Sequence, residues 1–90
     1  MAFSASDCAE VREVLGGKAL GYRYADLERW LRRADCRLLK TSADGSHRVW
    51  VHPKGRRIPV KTRGRRELLP AYVKEVAKAL LQEEGCPATP

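Results

Sequence analysis

The fold is decided by residues 42–60, which read SADGSHRVWVHPKGRRIPV. Two short segments of this stretch, HRVWVH and RIPV, have the residue types of β-strands, and the turn residues of PKGR separate them. The cluster SADGS in front of them is typical of a turn. The stretch therefore predicts a β-hairpin that the chain enters through a polar turn.

The alternation of side chains along the two strands predicts which residues face the core. The residues expected on the inner, apolar face are Val49, Val51, Ile58 and Val60. The residues expected on the open face are Arg48, Trp50 and His52. Pro59 has no N–H for a ladder, so we expect its strand at a sheet edge, or its nitrogen turned away from the neighbouring strand.

An amphipathic helix and a third strand are predicted in front of the hairpin. The helix covers residues 22–34, and its apolar stripe consists of Leu27, Trp30, Leu31 and Ala34. Trp30 is expected in the core because it lies on this stripe. Residues 36–41, CRLLKT, have the composition of a strand.

A second amphipathic helix is predicted after the hairpin. It begins near Pro70, a residue that suits the first turn of a helix, and it ends at Gly85. Its apolar stripe consists of Val73, Val76, Ala77, Leu80 and Leu81. The intervening residues 61–69, KTRGRRELL, are expected to form a basic loop.

These elements together predict an α+β fold. From residue 22 onward the order is αβββα, with a three-stranded antiparallel sheet and both helices on one face. Double-stranded-RNA-binding domains have the same order of elements. We divide the chain into an N-terminal extension (1–21), a main domain (22–85) and a C-terminal tail (86–90). In the extension, residues 7–15 predict a short helix capped by Asp7.

The net charge of +7 is concentrated in one third of the 90 residues. Residues 36–66 carry ten Lys or Arg and one acid, whereas the charges of residues 1–35 cancel. Such a patch is typical of proteins that bind a polyanion such as nucleic acid, and the alternative is an ordinary solvated basic surface. Because no apolar run is long enough to cross a membrane and no secretory signal is recognisable, we expect a cytoplasmic protein without a membrane partner.

The three cysteines, Cys8, Cys36 and Cys86, are widely spaced. An odd number of cysteines without a CxxC pair argues against a disulfide framework and against a zinc site. We therefore expect free thiols in a reducing cytosol, no bound metal and no cofactor.

The two histidines cannot act together if they lie on one regular strand. His47 and His52 are five residues apart, which corresponds to about 17 Å, and the odd separation places them on opposite faces. They therefore cannot share a metal ion or one phosphodiester group. His52 is expected to be a surface residue that contributes weakly to the charge.

His47 is the stronger candidate for chemistry. It follows Gly45, which lets a substrate backbone approach closely, and Ser46, which adds a hydroxyl group. A histidine at this position can move a proton near neutral pH, although a lone surface histidine without chemistry is the alternative. The cations expected around it are Lys40, Arg48, Lys61 and Arg63.

The chain resembles the HicA toxins, the mRNA-interferase components of HicA–HicB toxin–antitoxin systems. The resemblance covers residues 22–85 and rests on motifs in a fixed order of elements. These motifs are the triplet Gly45-Ser46-His47 at the start of a strand, the pair His52-Pro53 near the hairpin, the strand Ile58-Pro59-Val60 and the closing helix from Pro70.

The resemblance implies a small ribonuclease with a double-stranded-RNA-binding-like fold. It implies that His47 is the catalytic residue, that mRNA is the substrate and that a HicB-type antitoxin covers the site. The positions expected to contact the substrate are Lys40, Gly45, Ser46, Arg48, Trp50, Lys61 and Arg63. Two departures from the family pattern are Asp35-Cys36, where a Gly-aromatic pair is frequent, and Lys61, where a histidine is common.

Trp50 has three interpretations. On an open face it would stack on a base or anchor the antitoxin, and under the N-terminal extension it would be partly buried. The whole chain also has two alternative functions, a non-catalytic RNA-binding module and a domain that binds an acidic protein.

Overall fold

The computed structural model describes residues 3–17, 21–63, 67–68 and 70–86. It has three helices, which are α1 (Ala5–Leu15), α2 (Tyr24–Arg33) and α3 (Pro70–Glu83). Its strands are β1 (Arg37–Thr41), β2 (His47–Val51), β3 (Arg57–Arg63) and the two-residue β4 (Glu67–Leu68). The strands form one antiparallel sheet in the order β1-β2-β3-β4. The predicted α+β fold with the core order αβββα is confirmed.

The sheet continues beyond the predicted third strand. Residues 61–63 belong to β3 and residues 67–68 to β4, so the prediction of a basic loop over 61–69 is wrong at these positions. The rest of that predicted loop, residues 64–66 and Leu69, lies outside the described residues. The strand extends because Thr62 turns into the interior, where it is 3% exposed, and donates its N–H to the Ser46 carbonyl.

Pro59 lies inside the sheet without interrupting the ladder between β2 and β3. Hydrogen bonds from the Thr62 N–H to Ser46 and from the His52 N–H to Arg56 flank this ladder. Because antiparallel pairs alternate between bonded and non-bonded types, Val49 and Pro59 form a non-hydrogen-bonded pair. The Pro59 nitrogen is therefore turned away from β2, as predicted.

The core lies between the sheet and the helices. The apolar stripes predicted for α2 and α3 are confirmed, and Trp30 is fully buried. On β3, the predicted inward residues Ile58 and Val60 are also buried.

The predicted faces of β2 are wrong. Trp50 is 0% exposed, and its Nε1–H donates to the Tyr24 hydroxyl at 2.9 Å, whereas Val49 and Val51 are only partly buried. All three residues of the run Val49-Trp50-Val51 are apolar, so the alternation did not show which of them faces inward. The largest side chain is the buried one, because it removes the most apolar area from water.

His52 is buried rather than exposed, which corrects the second prediction for this segment. It is 3% exposed, its Nε2 bonds the Glu84 carboxylate, and its Nδ1 accepts from the Lys54 N–H at 3.1 Å. An acceptor at Nδ1 means that the ring is neutral and carries its proton on Nε2. The reason for the error is that the end of α3, more than thirty residues away, covers the hairpin.

The N-terminal helix α1 begins at Ala5, two residues before the predicted start. Its N-cap is Ser4 rather than Asp7, because Asp7 occupies the third helical position and completes a capping box with Ser4. Val11 and Val14 are fully buried in the same cluster as α2 and α3. Our boundary between an extension and a main domain at residue 21 stays a prediction.

Hydrogen bonds between side chains connect α1 to α2. Arg33 Nε donates to both carboxylate oxygens of Asp7 at 2.9 Å, and Trp30 Nε1–H donates to Glu10. Burial opposes the charged form of Asp7, but hydrogen bonds from Ser4 and Arg33 outweigh it and hold the pKa of that carboxyl below its usual value. The ion pair therefore helps to hold α1 on the core while Asp7 is ionised.

The prediction of three free thiols is wrong for two of them. Cys8 in α1 and Cys86 after α3 form a disulfide across 78 residues of sequence. The packing of α1 on α3 brings them together, and sequence spacing gives no sign of this. Such a bond contributes about 2–4 kcal/mol to stability. Cys36 is free and buried, and burial raises the pKa of its thiol to about 12.

None of the helices in the described part of the chain is both long and apolar enough to span a membrane.

Asp7→Asn should lower the free energy of unfolding at pH 7 by about 1–3 kcal/mol, because it removes a charged hydrogen-bond acceptor. The folded-state pKa of Asp7 is lowered, so its contribution is complete above the ordinary pKa near 4 and is lost as the pH falls further. Urea unfolding of both proteins between pH 3 and pH 7 measures this. The two curves should converge at the acid end.

Asp26→Asn is the matched control, because Asp26 caps α2 through the Arg23 N–H and accepts no hydrogen bond from Arg33. A gap between wild type and Asp7→Asn that persists unchanged at pH 3 would contradict the assigned role of the carboxylate.

Candidate functional site

The outer face of the sheet, the side turned away from α2 and α3, is formed by residues that pair across β1, β2 and β3. On β2 and β3 the pairs are His47 with Lys61, Val49 with Pro59 and Val51 with Arg57. On β1, Lys40 pairs with Val49 and Arg37 pairs with Val51. Directly opposed residues of an antiparallel pair share a face. The outer face is therefore defined by Arg37, Lys40, His47, Val49, Val51, Arg57, Pro59 and Lys61.

This face carries concentrated positive charge. Its four cations, Arg37, Lys40, Arg57 and Lys61, are exposed, and among its described residues there is no carboxylate. The apolar residues Val49, Val51 and Pro59 lie between the cations of β1 and the cations of β3. The surface therefore suits an extended anion such as a phosphodiester chain.

His47 lies at one end of the outer face, directly opposite Lys61. Because the flanking pairs of this ladder exchange hydrogen bonds, His47 and Lys61 form a non-hydrogen-bonded pair, in which Cβ atoms are about 4.5–5.5 Å apart. The imidazole is exposed, and its Nδ1 lies 3.0 Å from the Ser46 hydroxyl. The structure thus brings together the candidate residues Ser46, His47 and Lys61.

The turn before His47 is held by its own side chains. Asp44 Oδ1 accepts from the Ser42 hydroxyl at 2.7 Å, the Ser46 hydroxyl at 2.8 Å and the Ser46 N–H at 3.0 Å. The Ser46 N–H and the two serine hydroxyls hold the pKa of the Asp44 carboxyl well below its usual value. Ser42 Oγ also accepts from the His47 N–H at 3.0 Å. These bonds fix the backbone on which His47 stands.

Gly45 has the left-handed conformation that glycine permits, with a φ of 76°. A Cβ atom built there would lie 3.7 Å from Arg48 Nη2. That distance is an ordinary van der Waals contact, so the positive φ, rather than a lack of space, is what favours glycine at this position.

Arg48 does not share a face with His47. Its guanidinium carbon lies 4.1 Å from the centre of the Tyr24 ring, on the helix side of the sheet, and the residue is half-buried. Within the described residues, its Nη1 is a buried nitrogen without a hydrogen-bond partner. The prediction that Arg48 lies on the open face is wrong, because neighbouring residues of a strand point to opposite sides and Trp50 fixes the parity.

The other positions predicted to contact the substrate, Lys40, Trp50 and Arg63, have three different outcomes. Lys40 lies on the outer face, one strand away from His47, whereas Trp50 is buried and has no surface on which a base can stack. The backbone of Arg63 belongs to β3, but its side chain lies outside the described part of the structure. Sequence reasoning missed Asp44, although an Asp two residues before a serine is a known turn signal.

No metal-binding group of three or more His, Cys, Asp or Glu side chains occurs within residues 3–17, 21–63, 67–68 and 70–86.

The fold and the site define a class, a small α+β protein whose basic sheet face ends at an exposed histidine. The family model for the HicA toxin of bacterial toxin–antitoxin systems matches residues 24–81, which is more than half of the chain. The chain belongs to the HicA toxin family and is the toxin of a toxin–antitoxin system. No curated protein and no solved structure is significantly similar to it. Helix α1 and both disulfide cysteines lie outside the matched residues.

Trp50→Ala should destabilise the fold by about 3–5 kcal/mol, because it empties a fully buried site. Val49→Ala, on the half-buried outer side of the same strand, should cost about 1 kcal/mol. Urea unfolding at pH 7 measures both. Equal, small losses would mean that β2 has the opposite parity, with Trp50 on the outer face.

Proposed function

We propose that this toxin is a metal-independent endoribonuclease that cleaves mRNA with His47 as its catalytic base. The observation that carries the proposal is an exposed histidine at the end of a basic face, opposite a lysine, in a chain of the HicA toxin family. Shape and charge alone also suit a non-catalytic RNA-binding module. The histidine beside Lys61 favours the enzyme, because it adds a group that can accept a proton where a phosphate would lie.

The reaction begins with the ribose 2′-hydroxyl of a bound strand. Neutral His47 removes its proton, the 2′-oxygen attacks the adjacent phosphorus, and the bond from phosphorus to the 5′-oxygen breaks. The products are a 2′,3′-cyclic phosphate and a 5′-hydroxyl. The leaving 5′-oxygen takes a proton from water or from the ammonium group of Lys61, the residue that pairs with His47 in the ladder.

The cations of the outer face bind the phosphates and stabilise the charge that develops during attack. Lys61 is nearest to His47, and Lys40 lies across β2 from it. Preorganised cations of this kind act strongly because they need no rearrangement at the moment of reaction. Arg48 is not assigned to the scissile phosphate, because it lies on the opposite face.

The antitoxin is proposed to be a HicB-type protein that covers the outer face. Such a partner would present carboxylates to the four cations, because complementary charge gives specificity and fast association. Leu39, which lies at the bulge of β1 between Leu38 and Lys40 and is 48% exposed, would supply apolar contact beside the basic surface. Covering this face would block access of RNA to His47.

The test is cleavage of an end-labelled single-stranded RNA in the presence of EDTA. Wild type should cut the RNA and leave 2′,3′-cyclic phosphate ends, and the all-deoxy oligonucleotide should stay intact because it lacks the nucleophile. His47→Ala should lose about 100-fold or more of the rate, the range expected for a general base, while it still binds RNA.

Lys78→Ala is the control, because it removes an exposed cation on α3, on the opposite side of the sheet from the outer face. Its rate should stay close to that of wild type. Binding of RNA without cleavage by the wild type would leave only the RNA-binding module, and cleavage that survives in His47→Ala would exclude His47 as the base.

A further inference from the structure

The hydroxyl of Ser46 lies between a carboxylate and the imidazole of His47. Its oxygen is 2.8 Å from Asp44 Oδ1 on one side and 3.0 Å from His47 Nδ1 on the other. A serine hydroxyl has one proton to donate and two lone pairs that accept. The two contacts must therefore be of different kinds if both are hydrogen bonds.

The direction of the two bonds follows from Asp44. Its three hydrogen bonds favour the ionised form, and an ionised carboxylate can only accept. The Ser46 proton therefore points to Asp44, and the Ser46 oxygen accepts from His47. That bond requires a proton on Nδ1 of His47, and in the neutral ring it leaves Nε2 without one.

We propose that Asp44 and Ser46 are positioning residues that hold His47 in the tautomer with its proton on Nδ1 and its free lone pair on Nε2. The catalytic part of this inference rests on the proposed ribonuclease function, whereas the tautomer does not. Nε2 is the atom that takes the proton from the 2′-hydroxyl. The imidazolium that forms keeps its Nδ1–H bond to Ser46, and the nearby charge of Asp44 stabilises it.

The backbone of the turn gives the network its rigidity. Ser42 donates its hydroxyl proton to Asp44 and accepts the His47 N–H, so the carboxylate and the histidine main chain are fixed by one residue. Gly45 takes the left-handed conformation that brings Ser46 back over Asp44. The hydrogen bonds of Ser42 go to Asp44 and to main-chain groups of the turn and not to the imidazole. A variant at Ser42 therefore distinguishes a role in the turn from a role in orienting the ring.

The direct experiment is a long-range ¹H–¹⁵N correlation spectrum of the ring nitrogens at pH 8.5, above the ordinary titration range of histidine. In wild type, His47 should give the Nδ1–H pattern. His52, which accepts at Nδ1 from the Lys54 N–H, should give the opposite pattern and serves as an internal reference. An Nε2–H pattern for His47 in wild type would overturn the proposal.

Variants of the turn test the cause of the tautomer. Ser46→Ala should remove the single Nδ1–H pattern, and Ser46→Thr, which keeps the hydroxyl, should restore it. Ser42→Ala should keep the pattern even if the turn is weakened. If Ser42→Ala and Ser46→Ala change the ring nitrogens equally, the effect belongs to the turn as a whole and the specific role of Ser46 is overturned.

Kinetics of RNA cleavage test the consequence. Ser46→Ala should lower kcat by about 10- to 100-fold with little change in KM, by analogy with the loss of a partner that orients a metal-bound histidine. Ser46→Thr should recover most of the loss. An unchanged kcat in Ser46→Ala would overturn the positioning role. A wild type that shows the expected tautomer but cuts no RNA would instead overturn the proposed function, and the catalytic part of this inference with it.

Discussion

The burial of Trp50 is the constraint on which the rest of the site depends. Its indole lies in the core and donates to the Tyr24 hydroxyl, so β2 can take only one of its two possible parities. A slip of one residue would turn every side chain of the strand to the other face. With Trp50 inside, His47 and the two valines face outward.

Several consequences of this parity shape the outer face. His47 stands opposite Lys61, and the cations of β1 and β3 extend from that point across the sheet. The exposed His47 and the buried core therefore lie on opposite faces of β2. The hairpin beyond Val51 turns the other way, where the Glu84 carboxylate binds His52 and the end of α3 holds the hairpin through Lys54 and Arg56.

Much of the fold could be predicted from local patterns. The stripes of α2 and α3 and the strand composition around His47 depend on neighbours a few residues apart, and the sequence carries that information directly. The Gly45-Ser46-His47 triplet likewise indicated the turn and the exposed histidine. Each of these features depends on residues that are close together in the sequence, so a single sequence is sufficient to predict it.

The errors that concern buried side chains and the disulfide depend on contacts between distant parts of the chain. The parity of β2 depends on Tyr24, the burial of His52 depends on Glu84, and the disulfide depends on the packing of α1 beside α3. Val49, Trp50 and Val51 are all apolar, so the alternation of side chains along β2 did not show whether Trp50 or the two valines face the core. Asp44 was missed for a different reason. Its donors lie within two residues of it, but the order of residues alone does not show that they all point to one carboxylate oxygen.

The measurement that tests the central claim most directly is an NMR titration of ¹⁵N-labelled His47→Ala with a short single-stranded RNA, in which the strand stays uncut. The account predicts that the amides of the outer face, such as Val49, Val51 and Lys61, shift progressively on addition of RNA. The amides of α3 that face solvent, such as Lys74 and Lys78, should stay in place. Shifts confined to α1 and α3, with an unchanged outer face, would contradict the claim that the RNA lies on the sheet beside residue 47.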